Sequence, residues 1–107
     1  MATRIAAVLA ASLLTLPCGA QTIMGTGARP CSEWIQARRD GGHHILAEAW
    51  VMGYVSGVNA STGGKHPSGF AEGMPAILDH VDRYCGEHPA DTIWAAVSAM
   101  LAQRRAS

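Results

Sequence analysis

The sequence predicts an all-α fold: a small four-helix bundle, stapled by one disulfide, after an N-terminal signal peptide. Three observations predict it. Apolar residues recur at helical spacing in four segments between Cys31 and Arg105, and no stretch shows the two-residue alternation of a half-buried strand. Glycine and proline punctuate those segments at Asp40-Gly41-Gly42, across Thr62–Gly73 and at His88-Pro89. Of the three cysteines, Cys31 and Cys85 are the two that lie beyond residue 20, and in an exported chain such a pair reads as a disulfide.

Residues 1–20 predict an address label. Arg4 supplies a positive start, Ile5 to Leu16 is a nearly unbroken apolar run, and Pro17 breaks it. Cys18 and Ala20 then place small residues at the −3 and −1 positions of a cut before Gln21, the pattern of a secretory signal, and the run is too short for a good membrane span. A lipid anchor on Cys18 is the alternative, but Pro17 stands where lipoprotein processing wants a small residue. The expected location is the periplasm. Removal of residues 1–20 leaves 87, a single small domain over 31–107 behind a leader at 21–30. A core of that size calls for a staple. A Cys31–Cys85 bridge closes a loop of about 54 residues, for which chain entropy gives about 4 kcal/mol. That is comparable with the whole stability of a small domain.

The elements follow in order. Gln21–Pro30 is rich in Gly and Thr without apolar period, and is expected to be a flexible leader. Pro30 suits a first helical turn and Glu33 suits the positive end of a helix dipole, so a first helix is expected over Cys31–Arg39, with Trp34 and Ile35 as its apolar face and Arg38 at the edge. The second and longest helix is expected over His43–Ser61. Ile45, Ala49, Met52 and Ser56 form one line, Leu46, Trp50, Gly53 and Gly57 the next, and Val51, Val55 and Val58 widen the face. A helix apolar on most of its circumference predicts packing on more than one side. Gly53 and Gly57 each forgo about 1 kcal/mol of helix propensity relative to alanine, which predicts close approach of another helix backbone. Glu48, Asn59 and neighbouring polar residues argue against a spanning Gly-x-x-x-Gly helix. Thr62–Gly73 is a long loop that Phe70 is expected to pin to the body. It lacks the strand and the Gly-Lys-Ser or Gly-Lys-Thr of a phosphate cradle. The third helix is expected from about Pro75, with Ile77, Leu78, Val81, Tyr84 and Cys85 on one face and Asp79, His80, Asp82 and Arg83 off it. His88-Pro89 divides it from a fourth helix over Pro89–Arg105, with Asp91 in the first turn and Ile93, Val97, Met100 and Leu101 as the buried stripe flanked by Trp94.

Chemistry is sparse. Beyond residue 20 there are seven Lys or Arg and eight Asp or Glu, with no basic stripe for nucleic acid and no polybasic segment for anionic lipid. His44 and Glu48 are four apart, as metal ligands can be, with His43 beside them and His66, His80 and His88 elsewhere. No His-Glu-x-x-His accompanies them, and the cysteines are committed to the bridge, so neither metal nor cofactor is predicted. Exposed histidines at helix ends are the plainer reading. As pH sensors, five of them add about +5 in mildly acid solution. Asp79 and Asp82 read as a solvated helix face, and no serine has a nucleophile-elbow context, so no catalytic residue is assigned and no enzyme is expected. The three tryptophans read as core.

The frame of Cys31 with Trp34, then Trp50-Val51-Met52-Gly53-Tyr54-Val55-Ser56-Gly57-Val58-Asn59, then Asp82-Arg83-Tyr84-Cys85 followed by His88-Pro89, resembles the small periplasmic helical proteins of the HdeA/HdeB type. It is also similar to the Tai-type immunity proteins of bacterial secretion systems. The first resemblance implies an acid-stress chaperone, non-enzymatic and independent of ATP, that covers apolar surface on unfolding proteins. With carboxylates neutral, residues 21–107 would carry about +13 from Lys, Arg, His and the amino terminus. The chain differs from those chaperones, which have lysine-rich ends, in having one lysine, Lys65. The second resemblance implies an inhibitor of a secreted toxin enzyme, with the Thr62–Gly73 loop as its candidate surface. A metal- or haem-handling protein using the histidines and methionines is a third reading. Partners are expected to be other proteins. A homodimer would cover the apolar surface that a glycine-lined helix leaves on so small a bundle.

Overall fold

A computed structural model describes residues 22–41, 44–63 and 73–106 of the chain. Four helices follow one another: α1 (Cys31–Arg39), α2 (His44–Ser61), α3 (Gly73–Glu87) and α4 (Ile93–Ala106), after a single 3-10 turn over Gly25–Ala28. Among the described residues no strand forms; only an isolated antiparallel bridge joins Pro30 and Thr92. The signal segment, His43 and residues 64–72 of the loop, with Lys65, His66, Phe70 and Glu72, lie outside the described residues.

The apolar stripes of the third and fourth segments are the ones that fold inward. Ile77, Leu78, Val81 and Cys85 of α3 are buried against Ile93, Ala96, Val97, Met100 and Leu101 of α4. Trp34 of α1 fills the space between them and is fully buried. Cys31 and Cys85 are bonded, both fully buried, with Cα atoms 4.8 Å apart. The first backbone amides of a helix have no partner inside it. Here Cys31 N–H donates to the Asp91 carbonyl at 2.6 Å and Ser32 N–H to the Pro89 carbonyl at 3.0 Å, while Ile93 N–H donates back to the Arg29 carbonyl at 3.0 Å.

That docking moves the start of α4. The sequence expectation begins it at Pro89, but the carbonyls of Pro89 and Asp91 turn toward α1, and the helix opens at Ile93. Thr92 caps it, its Oγ1 accepting from Ala95 N–H at 3.1 Å. Asp91 therefore precedes the helix, and its carboxylate accepts a 2.6 Å hydrogen bond from the Tyr84 hydroxyl. α3 begins at Gly73, two residues before Pro75.

Two expectations fail on packing. Residues 22–30 are not a loose leader. The Trp50 indole lies over Gly27 so closely that a Cβ there would sit 2.0 Å from the ring. Trp50 Nε1–H donates to the Met24 carbonyl at 3.0 Å. A glycine-rich stretch without apolar period is ordered because it supplies the bare backbone that a large ring can cover. Nor is α2 enclosed. Only Ala47, Val51 and Val55 are buried, with Trp50, Met52, Tyr54 and Val58 packed partly against the core. Gly53 and Gly57 are exposed, and a Cβ at either would meet nothing within 4 Å, so among the described residues no other helix approaches them. At 100° per residue Gly53 sits roughly 160° around the helix from Val51, on the outer side.

Two changes test this packing. Replacing both cysteines by alanine is expected to lower unfolding free energy by about 4 kcal/mol in urea titration. Gly27→Ala is expected to cost about 1–3 kcal/mol and shift Trp50 emission to the red, because the indole must leave its seat.

Candidate functional site

The densest polar arrangement lies where α1, α2 and α3 meet. Trp34 and Arg38 are four apart and share one face of α1. Asp82, one residue after the buried Val81, comes from α3 to the edge of that face. Arg38 grips the Asp82 carboxylate with two nitrogens, Nε–H to Oδ1 at 2.9 Å and Nη2–H to Oδ2 at 2.8 Å, the two-pronged geometry guanidinium favours. Trp34 Nε1–H donates to the same Oδ1 at 2.8 Å, and the Arg38 guanidinium carbon stands 5.8 Å from the centre of the Trp34 ring. The remaining Arg38 arm, Nη1, pairs with Glu48 of α2. His44 Nδ1 lies 3.2 Å from the same Glu48 oxygen, and its Nε2 lies 3.1 Å from the Gly41 carbonyl.

One guanidinium thus ties three helices through two carboxylates. Its hydrogen bond to Asp82 holds Arg38 protonated above its ordinary range. Arg38 and Asp82 are 33 % and 37 % exposed and Glu48 17 %. This half-shielded setting makes the bonds stronger than fully exposed surface pairs. Beside the cluster, a groove of about 420 Å³ runs between α1 and the start of α2, with Trp34, Ala37, Ala47 and Ile93 among its apolar walls and Leu46 at its lip.

The outer face of α2 is open and carries two of the exposed large apolar side chains among the described residues. Ile45 is 63 % and Leu46 73 % exposed, and the rest of that face is Ala49, Gly53, Ser56, Gly57 and Ala60, all exposed and none charged.

The three described histidines, His44, His80 and His88, do not converge. His44 belongs to the α1–α2–α3 cluster, and His88 packs against Tyr84 with ring centres 4.5 Å apart. His80 faces a cleft of about 400 Å³ between α3 and α4, with Arg83, Glu87 and Gln103, and its Nε2 is buried without a hydrogen bond. Burial, helped by the charges of Arg83 and Arg104 against the opposing pull of Asp79, pushes the His80 pKa down. Hydrogen bonding to Asp91 pushes the Tyr84 hydroxyl up. Among the described residues no group of three or more His, Cys, Asp or Glu is placed to hold a metal ion, and no helix is long and apolar enough to cross a membrane.

The residues singled out from sequence fall into separate places. Cys31 and Cys85 make the staple, and Trp34 joins the cluster. Trp50 and Tyr54 stack at 5.3 Å, and Tyr54 accepts from Trp94 Nε1–H at 3.0 Å. Tyr84 braces Asp91, while Gly53 and Gly57 face outward. Sequence reasoning missed Asp82, which it placed on a solvated face. The available signal was the pairing of an indole donor and a guanidinium four residues apart, which needs an acceptor. Of the loop proposed as an inhibitory surface, only Thr62, Gly63 and Gly73 are described. No family model, curated protein or solved structure matches the chain.

Asp82→Asn keeps the shape but removes the charge that two Arg38 nitrogens share. It is expected to lower stability by about 1–2 kcal/mol at neutral pH, read by urea titration, a value discounted for partial exposure. His80 supplies a second test. Its folded pKa lies below its unfolded value near 6.5, so the unfolded chain binds the proton first. Its contribution is intact above pH 6.5 and is lost as pH falls below that toward the lowered folded pKa. Replacement of His80 by glutamine should flatten the pH dependence of stability in that window.

Proposed function

We propose that this chain is an exported, non-enzymatic protein-binding domain that acts as an acid-stress chaperone. The observation that carries the reading is how α2 is held. α1 and α3 are joined by the disulfide, and α1 and α4 by backbone hydrogen bonds at the Pro89–Thr92 turn. α2 has neither tie. It rests on a thin apolar line, Ala47, Val51 and Val55, with Met52, Tyr54 and Val58 partly against the core, on the Trp50 seat, on one hydrogen bond from Trp94 of α4 to Tyr54, and on the Glu48–Arg38–Asp82 bridge at its start.

Strong acid removes that bridge without touching the covalent one. Once Glu48 and Asp82 are protonated, Arg38 keeps its charge and loses both counter-charges, and Trp34 loses its carboxylate acceptor. The rising positive charge of the whole chain then pushes the helices apart. The element with the fewest ties, α2, leaves first and uncovers Trp34, Val51 and Val55. These are apolar groups of the kind that cover exposed surface on unfolding proteins. The disulfide limits the opening to one side of the bundle, and the excess charge keeps a complex soluble.

The test is aggregation of an acid-sensitive client at pH 2–3, followed beside the helical signal of the protein itself. Suppressed aggregation together with partial loss of helix is expected, and Asp82→Asn should move the onset to higher pH. A protein that stays fully folded and leaves aggregation unchanged at pH 2 removes the chaperone reading.

A further inference from the structure

We propose that the junction of α1 and α2 at Asp40-Gly41 is a modification site, where the chain isomerises to isoaspartate and the start of α2 is loosened. The chain has four aspartates, Asp40, Asp79, Asp82 and Asp91, and the fold separates one of them from the rest. Asp79 and Asp82 lie inside α3, where helical hydrogen bonds hold the backbone on both sides. Asp79 is paired with Arg83, and Asp82 is gripped by Arg38 and Trp34. Asp91 stands outside a helix, but its carbonyl accepts from Cys31 N–H and its carboxylate from the Tyr84 hydroxyl. The residue after it is the β-branched Thr92.

Asp40 has none of these restraints. It follows the last residue of α1, and its N–H donates to the Gln36 carbonyl at 3.0 Å. Asp40 and Gly41 are both exposed, and among the described residues neither the carboxylate nor the carbonyl of Asp40 has a hydrogen-bond partner. Gly41 takes a φ of +65°, and a Cβ there would meet nothing within 4 Å, so conformation rather than crowding calls for glycine. That choice leaves the Gly41 nitrogen with no side chain to shield it from the carboxyl carbon before it.

The step balances within the chain. The Gly41 nitrogen attacks Cγ of the neutral Asp40 carboxyl. The carboxyl hydroxyl leaves with the nitrogen's proton as water, and a five-membered succinimide closes. Closure needs rotation about ψ of Asp40, which stands at 6°, and the unpartnered carbonyl leaves that rotation open. Water then adds back. Opening at Cγ restores aspartate, and opening at the main-chain carbonyl gives isoaspartate, whose backbone runs through Cβ and Cγ. Nothing is oxidised or reduced, and the final mass is unchanged.

Isoaspartate lengthens the link between the helices by one backbone atom. The carbonyl that follows, that of Gly41, lies 3.1 Å from His44 Nε2, and His44 continues through Glu48 to Arg38. A longer link displaces that carbonyl and weakens the polar tie at the start of α2. The inference does not depend on the chaperone reading.

Ageing of the exported, disulfide-bonded protein at pH 5 tests it, with isoaspartate read by a methyltransferase specific for that residue and located by peptide fragmentation. The peptide holding Asp40-Gly41 is expected to take at least ten times the label of those holding Asp79, Asp82 or Asp91, and the thermal midpoint is expected to fall as label accumulates. Asp40→Glu keeps the charge but would have to close a six-membered ring, so it should take no label there and hold its midpoint. Asp40→Asn should reach the same succinimide faster, by loss of ammonia. An unlabelled Asp40 peptide overturns the proposal, as does equal labelling at Asp91. A fully labelled protein as stable as the fresh one overturns the loosening of α2.

Discussion

The head of α1 is the point to which the bundle is referred. A helix of nine residues, Cys31–Arg39, is too short to persist alone in water. It persists because its first residue is bonded to α3 through sulfur and its first amides are bonded to the turn before α4. One short stretch, Arg29 to Ser32, thus meets both later helices. The helical amides that would have been orphaned are satisfied by carbonyls that α4 gives up by starting late, so one junction settles a helix start, a helix boundary and the bridge between Pro30 and Thr92.

The same junction explains the different standing of α2. Its sequence is apolar nearly all round, yet it buries one narrow line, because the stripes of α3 and α4 already pack on each other and on Trp34 and leave one side for it. At its start α2 is also tied by charge. Arg38 reaches Asp82 on one side and Glu48 on the other, and shields the open side of Trp34.

Trp50 shows how a domain of this size covers a large ring. The segment before α1 does it, with Gly27 against the indole and the Met24 carbonyl on its nitrogen. Tyr54 and Trp94 extend the stack toward α4.

The sequence by itself determined the helix count, the disulfide partners and the inward faces of α3 and α4. Each of these rests on information local to one segment, an apolar period or a pair of cysteines with no other partner. Only the tertiary structure decided that Asp82 binds Trp34 and Arg38, that Gly27 seats Trp50, that α4 yields its first turn, and which side of α2 faces inward. Asp82 lies 48 residues from Trp34, and its partners are set by how α1 crosses α3. For α2 the reason is physical rather than a matter of distance. When a helix is apolar on most sides, hydropathy carries no direction, and the choice falls to the shape of the groove its neighbours leave. Gly53 and Gly57 had the mark of a packing surface in the sequence, and the fold placed that surface on the outside.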